Sequence, residues 1–231
     1  MTTTYPGLWE TIVTHDGVYA PQHDSRLLVD AMTRSGVVAG RRVLDLCTGT
    51  GVVAITAAHL GAASVTAYDI CPRAVRCSRA NARAAGVAVD VRLGSLTDAL
   101  SAGPYDVVVS NPPYVPVGPD SHTEVISAHI GSPGAWNAGT TGRLLLDPLC
   151  QAAPRLLERG GTLLIVQSEF SGVELSVAKL RALGLDADIL SRQWIPFGPV
   201  LSARARWLER TGQLHIGRRQ EQLVVVRADM R

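Results

Sequence analysis

The sequence predicts an α/β protein: a mostly parallel sheet of seven strands with helices on both faces. Three observations carry that reading. Short apolar runs of strand length alternate with segments of helical period along the whole chain. A glycine-rich turn, Cys47-Thr48-Gly49-Thr50-Gly51, joins the first such run to an Ala-rich helix. The next run ends in an acid, Asp69, 18 residues after Gly51. A chain of 231 residues with 46% hydrophobic content is long enough for one domain with a sizeable core.

Residues 1–17, with Tyr5 and Trp9, have no clear period and read as an edge segment with exposed aromatics. The stretch 18–25 leads into a helix over 26–32, for which Asp24 or Ser25 is the expected N-cap. The first core strand is Arg42–Leu46, followed by the glycine turn and a helix over 52–60. A second strand covers 63–69. Pro72 opens the next helix, which runs to about Gly86 and places Arg73, Arg76, Arg79 and Arg83 on a solvated face. A third strand is expected over 87–93, a turn at 94–96, and a fourth strand over 106–110, where Val107–Val109 is continuously apolar as in a buried parallel strand.

The stretch 115–142 is rich in Gly, Pro, Ser and His, and loops of that length inside a compact domain are usually functional. A helix over 143–159 stops at Gly160-Gly161, and a fifth strand follows at 162–167. Another helix spans 171–183. The last two strands are expected at 188–193 and 221–228, separated by an insert at 194–220. Within that insert, 194–199 reads as a packed turn and Val200–Leu208 as a candidate extra strand.

The net charge of +2, without a run of basic residues, argues against a nucleic-acid partner. Cys47, Cys71, Cys77 and Cys150 form no CxxC pair and have no histidine at zinc-site spacing, so no metal is expected. They read as small hydrophobes in a reducing compartment. The first ten residues lack the build of a signal peptide and no apolar stretch is long enough to span a bilayer. The expectation is a soluble, cytoplasmic protein.

The chemistry concentrates at Asn111-Pro112-Pro113-Tyr114, placed at the end of the fourth strand, the edge where open α/β sheets bind ligands. The two prolines remove backbone donors and hold the chain extended. Asn111 and the Pro112 carbonyl can then accept the two hydrogens of a planar –NH2 group while Tyr114 stacks on it. The plain alternative is a strand stop with Tyr114 in the core. Asp45, Gly49, Gly51 and Asp69 form a unit for an adenosine-containing ligand, with Asp69 placed for a ribose hydroxyl. The stretch 49–54 also fits the dinucleotide pattern G-x-G-x-x-A. Asp45 favours S-adenosylmethionine over NAD, since an acid suits a sulfonium and repels a pyrophosphate. Bracing of the loop by Asp45 is compatible with that role.

The combination of Val43–Gly51, Asp69 and Asn111–Tyr114, together with 18–25 and 135–139, resembles the HemK-type class I S-adenosylmethionine-dependent methyltransferases, which have a Rossmann-like fold. Those enzymes methylate the side-chain amide nitrogen of the glutamine in the Gly-Gly-Gln motif of translation release factors. The likeness covers about 15–195 and the last strand, and is greatest to the short branch without a helical N-terminal domain. It implies a single methyltransferase domain, a class I release factor as protein substrate, and catalytic roles for Asn111, Pro112 and Tyr114. It implies cofactor contacts from Tyr19, Ser25, Asp45, Cys47, Gly49, Gly51, Asp69, Ser95, Leu96 and Asn111. Two positions depart from the pattern: Cys47 replaces a glycine, and Ser95 stands where an acid commonly meets the adenine. Eukaryotic relatives use a small zinc-binding activator, and the insert with Leu201 and Leu208 is a candidate cover for the surface such a partner would cap. The same Asn-Pro-Pro-Tyr arrangement also serves adenine-N6 methyltransferases, and small-molecule amines or amides are further candidate acceptors. An inactive binding module is the non-enzyme alternative.

Overall fold

The computed structural model describes residues 8–119, 124, 126–127 and 130–231; Tyr5 lies outside them. Seven strands form one sheet: β1 (Arg42–Leu46), β2 (Ser64–Asp69), β3 (Asp90–Leu93), β4 (Tyr105–Ser110), β5 (Leu157–Ser168), β6 (Asp186–Pro196) and β7 (Gln220–Asp229). Their order is β3-β2-β1-β4-β5-β7-β6. The first five are parallel, and β7 runs antiparallel to both β5 and β6. The helices are α1 (Leu8–Thr11), α2 (His23–Ser35), α3 (Val52–His59), α4 (Pro72–Ala84), α5 (Leu96–Ala102), α6 (Leu146–Leu156), α7 (Val173–Ala182) and α8 (Pro199–Arg210). α2, α3 and α4 pack together, as do α5, α6 and α7, giving a helical layer on each face.

The central strands are apolar on both faces because both faces are covered. Val107–Val109 on β4, Leu163–Val166 on β5 and Leu223–Val226 on β7 are all buried. The strand order reverses between β1 and β4, so the two loops leaving their C-terminal ends diverge there and open a crevice. Register brings those loops together: Leu46 lies opposite Ser110, and the Ser110 hydroxyl donates to the Leu46 carbonyl at 2.9 Å. Cys47 and Asn111 therefore start side by side.

Several elements differ from the sequence expectation. α2 begins at His23 with Gln22 as its N-cap, so Asp24 and Ser25 sit inside its first turn. Asp24 is drawn there by partners from outside the helix. β3 covers only 90–93, and α5 forms where no helix is expected, held by a capping box between Ser95 and Asp98. Gly160 and Gly161 do not stop a helix but lie inside β5. The Gly160 N–H donates to the Met230 carbonyl at 2.9 Å, and the Gly161 carbonyl accepts from Met230 at 2.8 Å. β6 extends to Pro196, so 194–196 is strand rather than turn.

The stretch read as an extra strand at 200–208 is the helix α8. Its buried residues Val200, Leu201, Arg204, Ala205 and Leu208 recur at helical spacing, and Pro199 occupies the first turn. Leu201 and Leu208 pack into the core rather than covering a surface. The arginines of α4 are exposed, although Arg79 folds back to donate to the Val91 carbonyl. Trp9 is half-buried beneath the Arg26 guanidinium, 5.0 Å above its ring.

The loop after β4 is closed at its base. Val115 forms a parallel bridge opposite Asn137, its N–H donating to the Trp136 carbonyl at 2.9 Å and its carbonyl accepting from the Ala138 N–H at 3.1 Å, and Val117 N–H reaches Gly139 O at 2.9 Å. Arg204 of α8, 2% exposed, pins this base. It grips the Glu124 carboxylate through Nε (3.0 and 3.1 Å) and Nη2 (2.9 Å), and donates to the Pro116 carbonyl at 2.8 Å and to Asn137 Oδ1. Among the described residues no helix is long and apolar enough to cross a membrane.

Candidate active site

Two cavities lie at the C-terminal edge of the parallel strands and meet at Asn111. The larger, about 660 Å³, is lined by the β1 turn (Cys47, Thr48, Gly49), the end of β2 (Asp69, Ile70), the start of α5 (Ser95, Leu96), and Tyr19, Ser25 and Asn111. Its volume is within the ~300–1,000 Å³ typical of small-molecule sites. The smaller, about 200 Å³, is lined by Pro112, Tyr114, Trp136, Glu221 and the stretch 195–201. Tyr19, Asn111, Pro113 and Ala135 border both.

The glycine turn is organised by two carboxylates. Asp69 accepts from the Gly49 N–H at 2.9 Å with one oxygen and from the Cys71 N–H at 2.8 Å with the other, locking the turn against β2. Burial raises its carboxyl above the usual range, against the pull of those two backbone bonds. Cys47 takes the position expected of a glycine in a left-handed conformation, φ 63°. Its side chain lines the cavity, and burial with Asp69 nearby drives the thiol strongly upward, so it stays neutral.

Asp45 and Gly51, expected at the cofactor, do not line the cavity. Asp45 is buried beneath the turn, accepts from the Thr48 hydroxyl at 2.6 Å, and is pushed up to about 7 by desolvation. It braces the loop from behind. Gly51 starts α3 at φ 87°, and a Cβ there would run into Ser78 of α4, so the glycine serves helix packing. Ser95 lines the cavity with its hydroxyl engaged in the α5 cap, donating to Asp98 at 2.8 Å and accepting from the Thr97 N–H at 3.2 Å.

A residue that sequence reasoning took for a cap proves to be the hub of the site. Asp24 Oδ2 accepts from the Tyr19 hydroxyl at 3.0 Å and the Tyr114 hydroxyl at 3.1 Å, while Oδ1 accepts from the Ser25 N–H at 2.6 Å. Burial first, and then the charge on Asp24, hold both phenols protonated. Ser25 in turn accepts from Asn111 Nδ2 at 3.3 Å, which turns the Asn111 carbonyl oxygen away from Ser25. Tyr114 borders only the smaller cavity and belongs to the core as well. In the sequence Asp24 stands out only as a candidate N-cap within the stretch 18–25 that shares the family resemblance.

The stretch 194–199 has an unforeseen role. Ile195 to Leu201 wall the smaller cavity, with Phe197 edge-on to Phe170 at 6.0 Å, and Glu221 completes the lining from β7. Trp194 faces out, beneath the Arg218 guanidinium at 5.6 Å.

A sheet of this order, with a cavity over the β1 turn and an Asn-Pro-Pro-Tyr loop beside it at the switch point, defines a class I methyltransferase fold. The chain belongs to the methyltransferase small domain family, whose model matches residues 10–134. It is 32% identical over 191 residues to a Methanocaldococcus jannaschii protein whose assignment as a protein N5-glutamine methyltransferase is itself provisional, covering 83% of this chain and 92% of that one. It is 33% identical over 164 residues to the 4-amino-L-phenylalanine/4-methylamino-L-phenylalanine methyltransferase of Streptomyces pristinaespiralis (67% and 55% covered). Identity is 38% over 149 residues to the release factor glutamine methyltransferase of Deinococcus radiodurans (64% and 52% covered). The chain thus spans nearly all of the archaeal relative and about half of the two bacterial ones. Among solved structures, the E. cuniculi Mtq2–Trm112 complex, responsible for methylation of the eRF1 termination factor, superposes with a TM-score of 0.61 at 22% identity over 93% of this chain and 99% of the other.

Proposed function

We propose that this chain is an S-adenosylmethionine-dependent N-methyltransferase of a side-chain amide, with the glutamine of a translation release factor as acceptor. One observation carries the reading: Asn111 stands at the junction of the two cavities with its amide oriented by Ser25. The larger cavity fits the cofactor, with the Asp69 carboxylate at its β2 side for a ribose, Leu96 as an apolar wall, and the Gly49 turn as its floor. When bound, the cofactor supplies an electrophilic methyl group on a sulfonium.

An amide nitrogen is a poor nucleophile because its lone pair is delocalised into the carbonyl. Asn111 Oδ1 and the Pro112 carbonyl accept its two N–H bonds, which directs the lone pair toward the larger cavity and supports the positive charge that develops. No base is needed before transfer: as the N–CH3 bond forms the S–CH3 bond breaks, its electron pair leaving with the thioether, and water takes the proton once the nitrogen is cationic. The neighbouring groups agree with this: Asp24 is committed to two phenols and the Ser25 N–H, and the phenols are held protonated.

The test is transfer from labelled S-adenosylmethionine to a purified class I release factor from the same organism, read by mass spectrometry on the Gly-Gly-Gln peptide. One added methyl on that glutamine, lost in Asn111→Ala while S-adenosylhomocysteine still binds, is the expected result. Near wild-type turnover by Asn111→Ala overturns the assignment. The single domain, the absence of a nucleic-acid substrate and a cytoplasmic site of action belong to the same proposal.

A further inference from the structure

Two residues in the wall of the smaller cavity each carry a buried polar atom without a hydrogen-bond partner among the described residues: Glu221, with Oε2, and Trp136, with the donor Nε1. Glu221 and Trp136 are each about 5% exposed; the same cavity is lined by the apolar Ile195, Pro196, Val200 and Leu223 and by the polar Gln22, His23 and Asp24. A buried polar group left unpaired is costly, and folded proteins seldom carry one without a use. The group meeting this pair must offer both a donor and an acceptor, as a peptide bond does. An ammonium, or an aromatic amine that carries no carboxylate or carbonyl, offers donors without a strong acceptor and would leave the Trp136 N–H unmatched.

We propose that the smaller cavity is a main-chain subsite, in which Glu221 Oε2 accepts a backbone N–H and Trp136 Nε1 donates to a backbone carbonyl of the residues flanking the methylated amide. This rests on the functional reading above and deepens it: Asn111 selects the amide nitrogen, and the Glu221–Trp136 pair selects a peptide as its carrier. The elements agree with such a role. Glu221 comes from β7 and Trp136 from the loop that Arg204 pins, so both walls are held in place before an acceptor arrives. Burial pushes the Glu221 carboxyl up to about 7; Ser168 and Arg218 favour its ionised form and Asp24 and Glu169 oppose it, so Oε2 is free to accept above that pH. Arg218 is spent on Glu169 at 3.2 Å and on the rings of Phe170 and Trp194, so it does not neutralise the subsite.

The experiment measures, at pH 8, binding of an acetylated, amidated Gly-Gly-Gln peptide, and of 4-methylaniline, to protein saturated with S-adenosylhomocysteine. The variants are Trp136→Phe and Glu221→Met, each removing one polar atom and keeping most of the volume. The expected result is a peptide Kd raised about five- to tenfold in each variant, the worth of one hydrogen bond, with the Kd for S-adenosylhomocysteine unchanged. Unchanged peptide affinity in both variants overturns the proposal. Wild-type protein that binds the aromatic amine and not the peptide also overturns it. If Glu221→Met loses S-adenosylhomocysteine binding as well, its fold is disturbed and Trp136→Phe decides by the same criteria. Peptide binding that both variants weaken, without methyl transfer to the glutamine, leaves the subsite standing and removes the functional reading.

Discussion

Replacing Arg204 by methionine tests how the acceptor loop is held. The guanidinium is 1% exposed at its side chain and its partner Glu124 14%. Methionine keeps the apolar stem and removes the Arg204 bonds to Glu124, Pro116 and Asn137. Breaking a buried ion pair from one side costs about 3–5 kcal/mol, because Glu124 would remain as a buried charge. The Pro116 carbonyl and Asn137 Oδ1 also lose their donors, so about 4 kcal/mol is the expected loss, a large share of a typical ~5–15 kcal/mol stability. Urea unfolding followed by fluorescence and circular dichroism reads the change in midpoint at constant slope. The double variant R204M/E124Q removes the stranded charge and should recover about half of the loss. A deficit below about 1 kcal/mol for R204M, or no recovery in the double variant, refutes the reasoning. Because Ala135 and Trp136 lie just before Asn137 and line the acceptor side, R204M should also raise the acceptor KM more than the cofactor Kd.

The two glycines of the β1 turn should separate in behaviour. Gly51→Ala forces a side chain into Ser78 at φ 87° and should cost about 2 kcal/mol in stability. Gly49→Ala meets nothing within 4 Å in the protein, so it should lose only the ~1 kcal/mol of a left-handed alanine at φ 56° in stability, and because Gly49 lines the larger cavity a further loss should appear in S-adenosylhomocysteine affinity by calorimetry. Asp69→Ala strands the Gly49 and Cys71 N–H groups and should weaken that affinity at least about tenfold, with the unfolding midpoint moving less. Glu221 is pushed up to about 7 from 4.5, so the folded state holds its proton more tightly than the unfolded chain. Stability is therefore highest below the unfolded value and falls as pH rises through about 7. Glu221→Gln should gain nothing at pH 4.5 and about 3 kcal/mol at pH 8, at ~1.4 kcal/mol per pH unit, and a pH-independent difference between the two proteins contradicts the assignment.

The elements that set up the crevice were legible because their signals are local. Val107–Val109 announces a buried strand, Pro72 a helix start, and the Gly49–Gly51 turn a strand-to-helix junction, and each stands within a residue or two of its expected place. α8 was misread because apolar pairs at 200–201 and 207–208 suggest a strand unless Arg204 is counted as an interior residue. Its partner Glu124 lies 80 positions away, and nothing local signals the pairing. Asp24 escaped notice for a similar reason: its three partners come from before the helix, inside it and after β4. Asp45 and Gly51 carried the right motif for a ligand loop, yet they stabilise it from behind, a distinction that needs depth as well as position along the chain.

The far wall of the smaller cavity comes from residues 195–223, beyond the end of the family match at residue 134, whereas the larger cavity is built wholly from residues 17–149. On the proposed reading the donor cavity lies wholly before residue 150, while the acceptor cavity adds a far wall from the tail to lining shared with the front of the chain at 19–24, 111–115 and 130–136. A lineage can exchange the C-terminal segment, or graft a different helix between β6 and β7, and present new recipients to an unchanged donor half. Divergence in what such proteins modify is then expected to concentrate in the tail, as insertions and substitutions around α8, while the front of the chain keeps its turns.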